Sequence, residues 1–165
     1  MGWNEDLEQI SQQERELVLP HLDAQIAWEL GSRLRTMAIE RNLAVVIDVR
    51  RFGQPLFYAA MDGTTPDNVE WVRRKNNVVS RFHRSSYAVG LKLKAKDETL
   101  SEQQGLALSD YATHGGAFPL NVAGAGVVGS ITVSGLPQRA DHELVVEVLC
   151  AYLGRNYEAL RLAHE

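Results

Sequence analysis

FPLNVAGAGVVGSITVSGLPQ, residues 118–138, carries the strongest structural signal in the chain. Phe118, Leu120 and Val122 alternate with other residues, Ala123-Gly-Ala-Gly126 supplies a turn, and Val127 to Ser134 alternates again through Ile131 and Val133. Strand side chains point to opposite faces with a period of two, so the pattern predicts an antiparallel hairpin. Gly135-Leu-Pro137 ends it, because proline cannot donate to a ladder. From about Gln138 the spacing changes to three and four. Leu144, Val145, Val148, Leu149 and Tyr152 then form one helical stripe that Gly154 is placed to end. The tail, 155–165, is expected to be helical.

Upstream, a second hairpin is expected. Leu43-Ala-Val-Val-Ile-Asp-Val49 is short, β-branched and apolar on successive positions, the pattern of a strand covered on both faces. Arg50 to Pro55 turns the chain through Gly53, and Leu56 to Met61 supplies the partner. Helices bracket this pair. Between His21 and Asn42, the residues Leu22, Ile26, Ala27, Leu30, Leu34, Met37 and Ala38 recur at helical steps. Thr65-Pro66-Asp67 offers an N-cap, a proline at the first helical position and an acid in the first turn. A helix is therefore expected to about His83, with Val69, Val72, Val79 and Phe82 inward. Ser85 to Lys96 has two readings: Tyr87, Val89, Leu91 and Leu93 alternate as in a strand, whereas Ser85 or Ser86 caps a helix, the reading preferred. Ser11-x-x-Glu14 has the form of a capping box and predicts a brief helix ending near Pro20, within an N-terminal helical extension, 1–20. The order α-β-β-α-α-β-β-α gives one α+β domain over 1–165, an antiparallel sheet covered by helices.

Composition narrows the function classes. The chain has 165 residues, 45% hydrophobic and 23% charged, which suits a globular domain with one core. Its single cysteine, Cys150, excludes an internal disulfide and a cysteine-based metal cage. The opening MGWNEDLEQI is acidic, and the longest apolar run, Leu43 to Val49, contains Asp48 and is too short to cross a bilayer. A cytoplasmic protein without a membrane partner is expected. A net charge of −4 argues against a nucleic-acid partner, although residues 67–96 hold eight Lys/Arg against two Asp/Glu.

Three segments carry possible chemistry. In Tyr111-Ala-Thr-His114-Gly-Gly-Ala-Phe-Pro119, Gly115 and Gly116 let backbone N–H groups approach a ligand beside His114, with Phe118 flanking. The plainer alternative is a turn feeding a strand. In Ser134-Gly135-Leu-Pro-Gln-Arg-Ala-Asp141-His142 a strand gives way to a helix, whose start aims unpaired N–H groups outward for an anionic group. Asp141 and His142 are adjacent, so on a helix they point about 100° apart and are no catalytic pair. Asp141 also serves a plainer purpose, favouring the helix N-terminus electrostatically. Arg74, Arg81 and Arg84, with Arg73 and Lys75 nearby, form a basic face that is either solvated or a site for carboxylates. The five histidines show no metal-binding spacing, and no P-loop, dinucleotide fingerprint or G-x-S-x-G is present.

HGGAFPL at 114–120 and GVVGSITVSGLPQRADHELVV at 126–146 resemble the GlcG/HbpS-like, or haem-degrading-domain, family, specifically its short cytoplasmic branch. Val45 to Val49, Trp71-Val-Arg-Arg-Lys75 and Arg81-Phe-His-Arg-Ser-Ser86 support the resemblance, which covers most of the chain. It implies a profilin-like (GlcG-like) fold, about five antiparallel strands flanked by helices in α/β/α layers, usually assembled into dimers or larger rings. Four strands are visible above, so a short fifth is expected near Tyr111. The resemblance carries no haem ligand over to a residue of this chain.

The leading expectation is a homo-oligomer that binds haem or a small organic acid. His114, Gly115, Gly116 and the Ser134–His142 turn would line the pocket, with Arg74 and Arg81 as further contacts. If catalysis occurs, His114 is the acid/base candidate, since histidine titrates near neutrality. The other expectation is a protein-interaction scaffold or chaperone-pathway accessory that buries the same glycine-rich surface between subunits. The pocket reading requires residues 114–119 and 134–142 to converge.

Overall fold

The computed structural model describes residues 2–164. In chain order its elements are α1 (Trp3–Glu16), β1 (Val18–Leu19), α2 (Ala24–Glu40), β2 (Val46–Arg51), β3 (Gln54–Ala60), α3 (Pro66–Phe82), α4 (Ser86–Ala95), α5 (Leu100–Gln104), β4 (Ala117–Val122), β5 (Gly126–Ser134), α6 (Gln138–Leu153) and α7 (Tyr157–Leu160). The strands make one five-stranded sheet in the order β1-β4-β5-β2-β3. Both expected hairpins form, β2 joins β5 antiparallel at the centre, and β1 alone runs parallel, beside β4. The mixed α+β architecture read from the sequence is the one found.

Register divides the sheet into two unlike faces. Ile47 and Val49 pair with Val133 and Ile131 and join the main hydrophobic core beneath α2 and α6. On the opposite side, Asp48 pairs with Thr132 and Arg50 with Ser130. There α3 lays Asn76 across the strands: its Nδ2 donates to Asp48 Oδ1 (3.2 Å), and its Oδ1 accepts from Ser130 (2.7 Å) and Thr132 (2.6 Å). Arg50 closes the layer with two bonds to Asp48, at 2.8 and 2.7 Å. Because each buried group finds partners, the desolvation cost of this polar layer is largely offset.

Capping explains several helix limits. Thr65 and Asn68 form a capping box ahead of Pro66, Ser85 Oγ accepts from Ala88 N, and Gly154 ends α6 in the left-handed region. Elsewhere tertiary contacts override local signals. Ser11 is not a cap: α1 already starts at Trp3, and Ser11 Oγ donates to Leu7 O (2.9 Å) within it. Glu14 instead accepts from Ser85 N (2.8 Å) and Arg84 Nε (2.5 Å), docking α1 on the start of α4. The fifth strand is Val18–Leu19, not a segment near Tyr111; two residues are too few to show a period. The inner face of α3 is Val72, Lys75, Asn76, Val78 and Val79, while Val69 is 41% exposed. The tail, expected to be helical as far as Glu165, which lies outside the described residues, has one helical turn, α7, beyond α6. Among the described residues no helix is long and apolar enough to cross a membrane.

Candidate functional site

Antiparallel pairing of β4 and β5 puts the start of one beside the end of the other. Ala117 pairs with Thr132, and Val133 N donates to Gly116 O (3.0 Å). The His114 loop and the turn into α6 therefore meet at one end of the sheet, where Gly115 N donates to Gln138 Oε1 (3.1 Å). With α3 alongside, they border an open cavity of about 210 Å³ lined by Trp71, Lys75, His114, Ser134, Gln138 and Asp141, among others.

The paired glycines serve close packing. A Cβ on Gly115 would fall 2.3 Å from the Tyr87 ring and 2.5 Å from Gln138 O. At Gly116, where φ is +137°, it would fall 2.3 Å from Val133 O and 2.7 Å from Lys75 Nζ. Glycine at 116 thus leaves the space that the lysine head occupies.

Lys75 reaches this end from the buried face of α3, with its side chain only 3% exposed. Its Nζ donates to Asp141 Oδ2 (3.0 Å) and to Val133 O (3.2 Å). Asp141, in the first turn of α6, also accepts from Leu136 N (2.9 Å) and Gly135 N (3.4 Å). Burial lowers the Lys75 pKa and raises that of Asp141, and their mutual attraction opposes both shifts. His114 stands edge-on to Trp71, with ring centroids 4.8 Å apart, and Arg74 lies over the same indole at 4.8 Å. Partial desolvation, then the charges of Lys75 and Arg74, hold His114 below the ordinary histidine value, so its imidazole is neutral at neutral pH.

Of the residues singled out from sequence, His114, Ser134, Gly135 and Asp141 line the cavity, and Gly115 and Gly116 pack behind it. Arg74 covers Trp71 and donates to Leu108 O at 3.0 Å. Other expected contacts lie elsewhere. Phe118 is buried in the main core, His142 is fully buried beside it, and Arg81 is exposed further along α3, outside the cavity. Lys75 and Trp71 are the residues that sequence reasoning undervalued. The available signal was spacing, because Lys75 and Asn76 fall on the stripe set by Val72 and Val79.

A family model described as haem degrading protein HbpS-like matches residues 22–150. The chain belongs to the HbpS-like family. This HbpS-like chain is 64% identical over 158 residues to a UPF0303 protein of Burkholderia thailandensis, covering 96% of each. The crystal structure of Ybr137w protein superposes with a TM-score of 0.83 at 31% identity, over 90% of this chain and 88% of that one. A crystal structure of a PduOC:haem complex shares the HbpS-like fold, with a TM-score of 0.65 at 16% identity over 79% and 94% of the two chains.

Proposed function

We propose that this HbpS-like chain binds a small organic acid in the cavity between α3 and the start of α6. The observation that carries the reading is the buried Lys75 ammonium on the cavity wall. Two of its three N–H groups are used by Asp141 and Val133, and the third has no hydrogen-bond partner among the described residues. Neutral His114 and the Trp71 ring supply a second polar contact and an apolar wall. A volume of about 210 Å³ corresponds to roughly seven waters, room for an acid of a few carbon atoms.

Haem does not fit this site. Drug-sized ligands occupy cavities of about 300 Å³ or more with mainly apolar walls. Here a macrocycle would press on a buried ion pair.

Titration with lactate, pyruvate or propionate, followed by tryptophan emission, tests the reading. The expected result is a saturable change that disappears in Trp71→Phe and weakens in His114→Ala. Absence of any response from folded protein, or a haemin Soret shift that depends on His114, would overturn it.

We also propose that copies of the chain associate through β3. It is an edge strand, and Trp28, Phe52 and Tyr58 are exposed on or beside it. Light scattering on a sizing column should give a multiple of 18.4 kDa that falls in Tyr58→Lys. A monomer at every concentration would refute the association.

A further inference from the structure

We infer that Lys75 is a nucleophilic lysine that forms a Schiff base with the carbonyl carbon of a small 2-oxo acid. The inference rests on the organic-acid reading above and names the substrate class for the same site.

The placement of Lys75 suits a reactive amine better than a structural ion pair. A buried Lys–Asp pair contributes little to stability, because removing both charges from water costs about as much as their attraction returns. Lys75 is nevertheless drawn to the wall of an open cavity, and Gly116 keeps clear the space around its Nζ. Burial favours the neutral amine, the form that attacks carbonyl carbon. Asp141 Oδ2, 3.0 Å from Nζ, is within reach to take and return a proton. Asn68 also lines the cavity; its Oδ1 is committed to Thr65 N (2.9 Å), which leaves its NH₂ end to meet a substrate carboxylate.

The step balances without a redox partner. The ammonium gives one proton to Asp141, and the freed amine attacks the carbonyl carbon. The C=O π pair moves to oxygen, which takes that proton and yields a carbinolamine. Its nitrogen returns a proton to Asp141, the hydroxyl leaves with it as water, and the C=N bond forms. Ammonium and ketone become protonated imine and water, and Asp141 ends as the carboxylate it began as.

Trapping tests this directly. The full chain is incubated with pyruvate and sodium cyanoborohydride, then analysed by intact mass and peptide mapping. The chain's other lysines, Lys92, Lys94 and Lys96, are exposed on or at the end of α4 and serve as internal controls. One adduct per chain, heavier by one pyruvic acid less an oxygen atom, is expected on Lys75, with lactate slowing its formation. Asp141→Asn should slow trapping roughly 100-fold, the scale of a lost general acid–base group. Adducts on the exposed lysines with Lys75 unmodified would overturn the proposal. If lactate and pyruvate change Trp71 emission while Lys75 stays unmodified, the Schiff base falls and organic-acid binding stands. If there is neither emission change nor adduct, both fall.

Discussion

At position 142 an imidazole is sealed between Tyr87 and Phe118, with ring centroids at 5.4 and 5.8 Å. Gln13 fixes its tautomer: its Nε2 donates to Leu160 O, so its Oε1 faces His142 Nε2 at 2.8 Å and accepts that proton. His142 Nδ1 then holds a lone pair in the core with no partner among the described residues. Burial pushes the pKa down to about 3, which keeps the ring neutral. Because the folded value is depressed, the unfolded chain takes up a proton below about pH 6.5 that the folded chain declines. Stability should fall as pH drops from there towards 3, by up to about 1.4 kcal/mol per pH unit. Urea midpoints at pH 7, 6, 5 and 4 check this: His142→Leu should show a shallower pH slope than the native chain, and equal slopes would refute the assignment. The position was partly legible, since His142 precedes Val145 and Leu149 on the helix stripe. Its neighbour Asp141 supplied the competing signal of a helix-start site, and sequence alone does not say which of two adjacent residues faces the sheet.

Between elements, the contact of α2 with β3 turns on Gly31. A Cβ there would lie 2.2 Å from atoms of the Phe57 ring, which Trp28 also meets edge-on at 5.3 Å. Glycine within a helix costs about 1 kcal/mol relative to alanine, whereas overpacking a core costs about 1–3 kcal/mol. The packing term is the larger, so Gly31→Ala should lower stability despite its better helix propensity. Thermal unfolding should show a lower midpoint for Gly31→Ala and recovery when Phe57→Leu is added; an unchanged or raised midpoint would count against this packing. Elements with a sustained period were legible from sequence: both hairpins, α2, α3 and α6. What escaped was set by distant contacts. The beginning of α1 depends on its fit to α4 and the tail, where Gln9 Nε2 donates to Leu160 O (2.9 Å), and β1 exists only as a partner for β4.

Across the whole molecule the sheet has one apolar layer and one polar one, and the polar layer runs from Arg50 and Asp48 through Asn76 and Thr132 towards Lys75 and Asp141 at the cavity. The expected convergence of 114–119 with 134–142 was legible, because any antiparallel hairpin brings its ends together. The polar character of the layer was not, since Leu43 to Val49 reads as a strand covered by apolar neighbours on both sides. A layer of this kind adds little net stability, which makes its placement at the cavity informative. Lys75→Met alone leaves the Asp141 carboxylate without its cation and should cost about 3–5 kcal/mol. Lys75→Met with Asp141→Asn removes both charges but retains an acceptor for Leu136 N, so it should regain most of that loss. Urea denaturation of the two single variants and the double variant measures the coupling. Recovery of stability with loss of the Trp71 response to organic acids would show that the pair is kept for the ligand. A double variant as unstable as the sum of its parts would make Lys75 and Asp141 a structural pair, and remove the energetic argument for a reactive lysine.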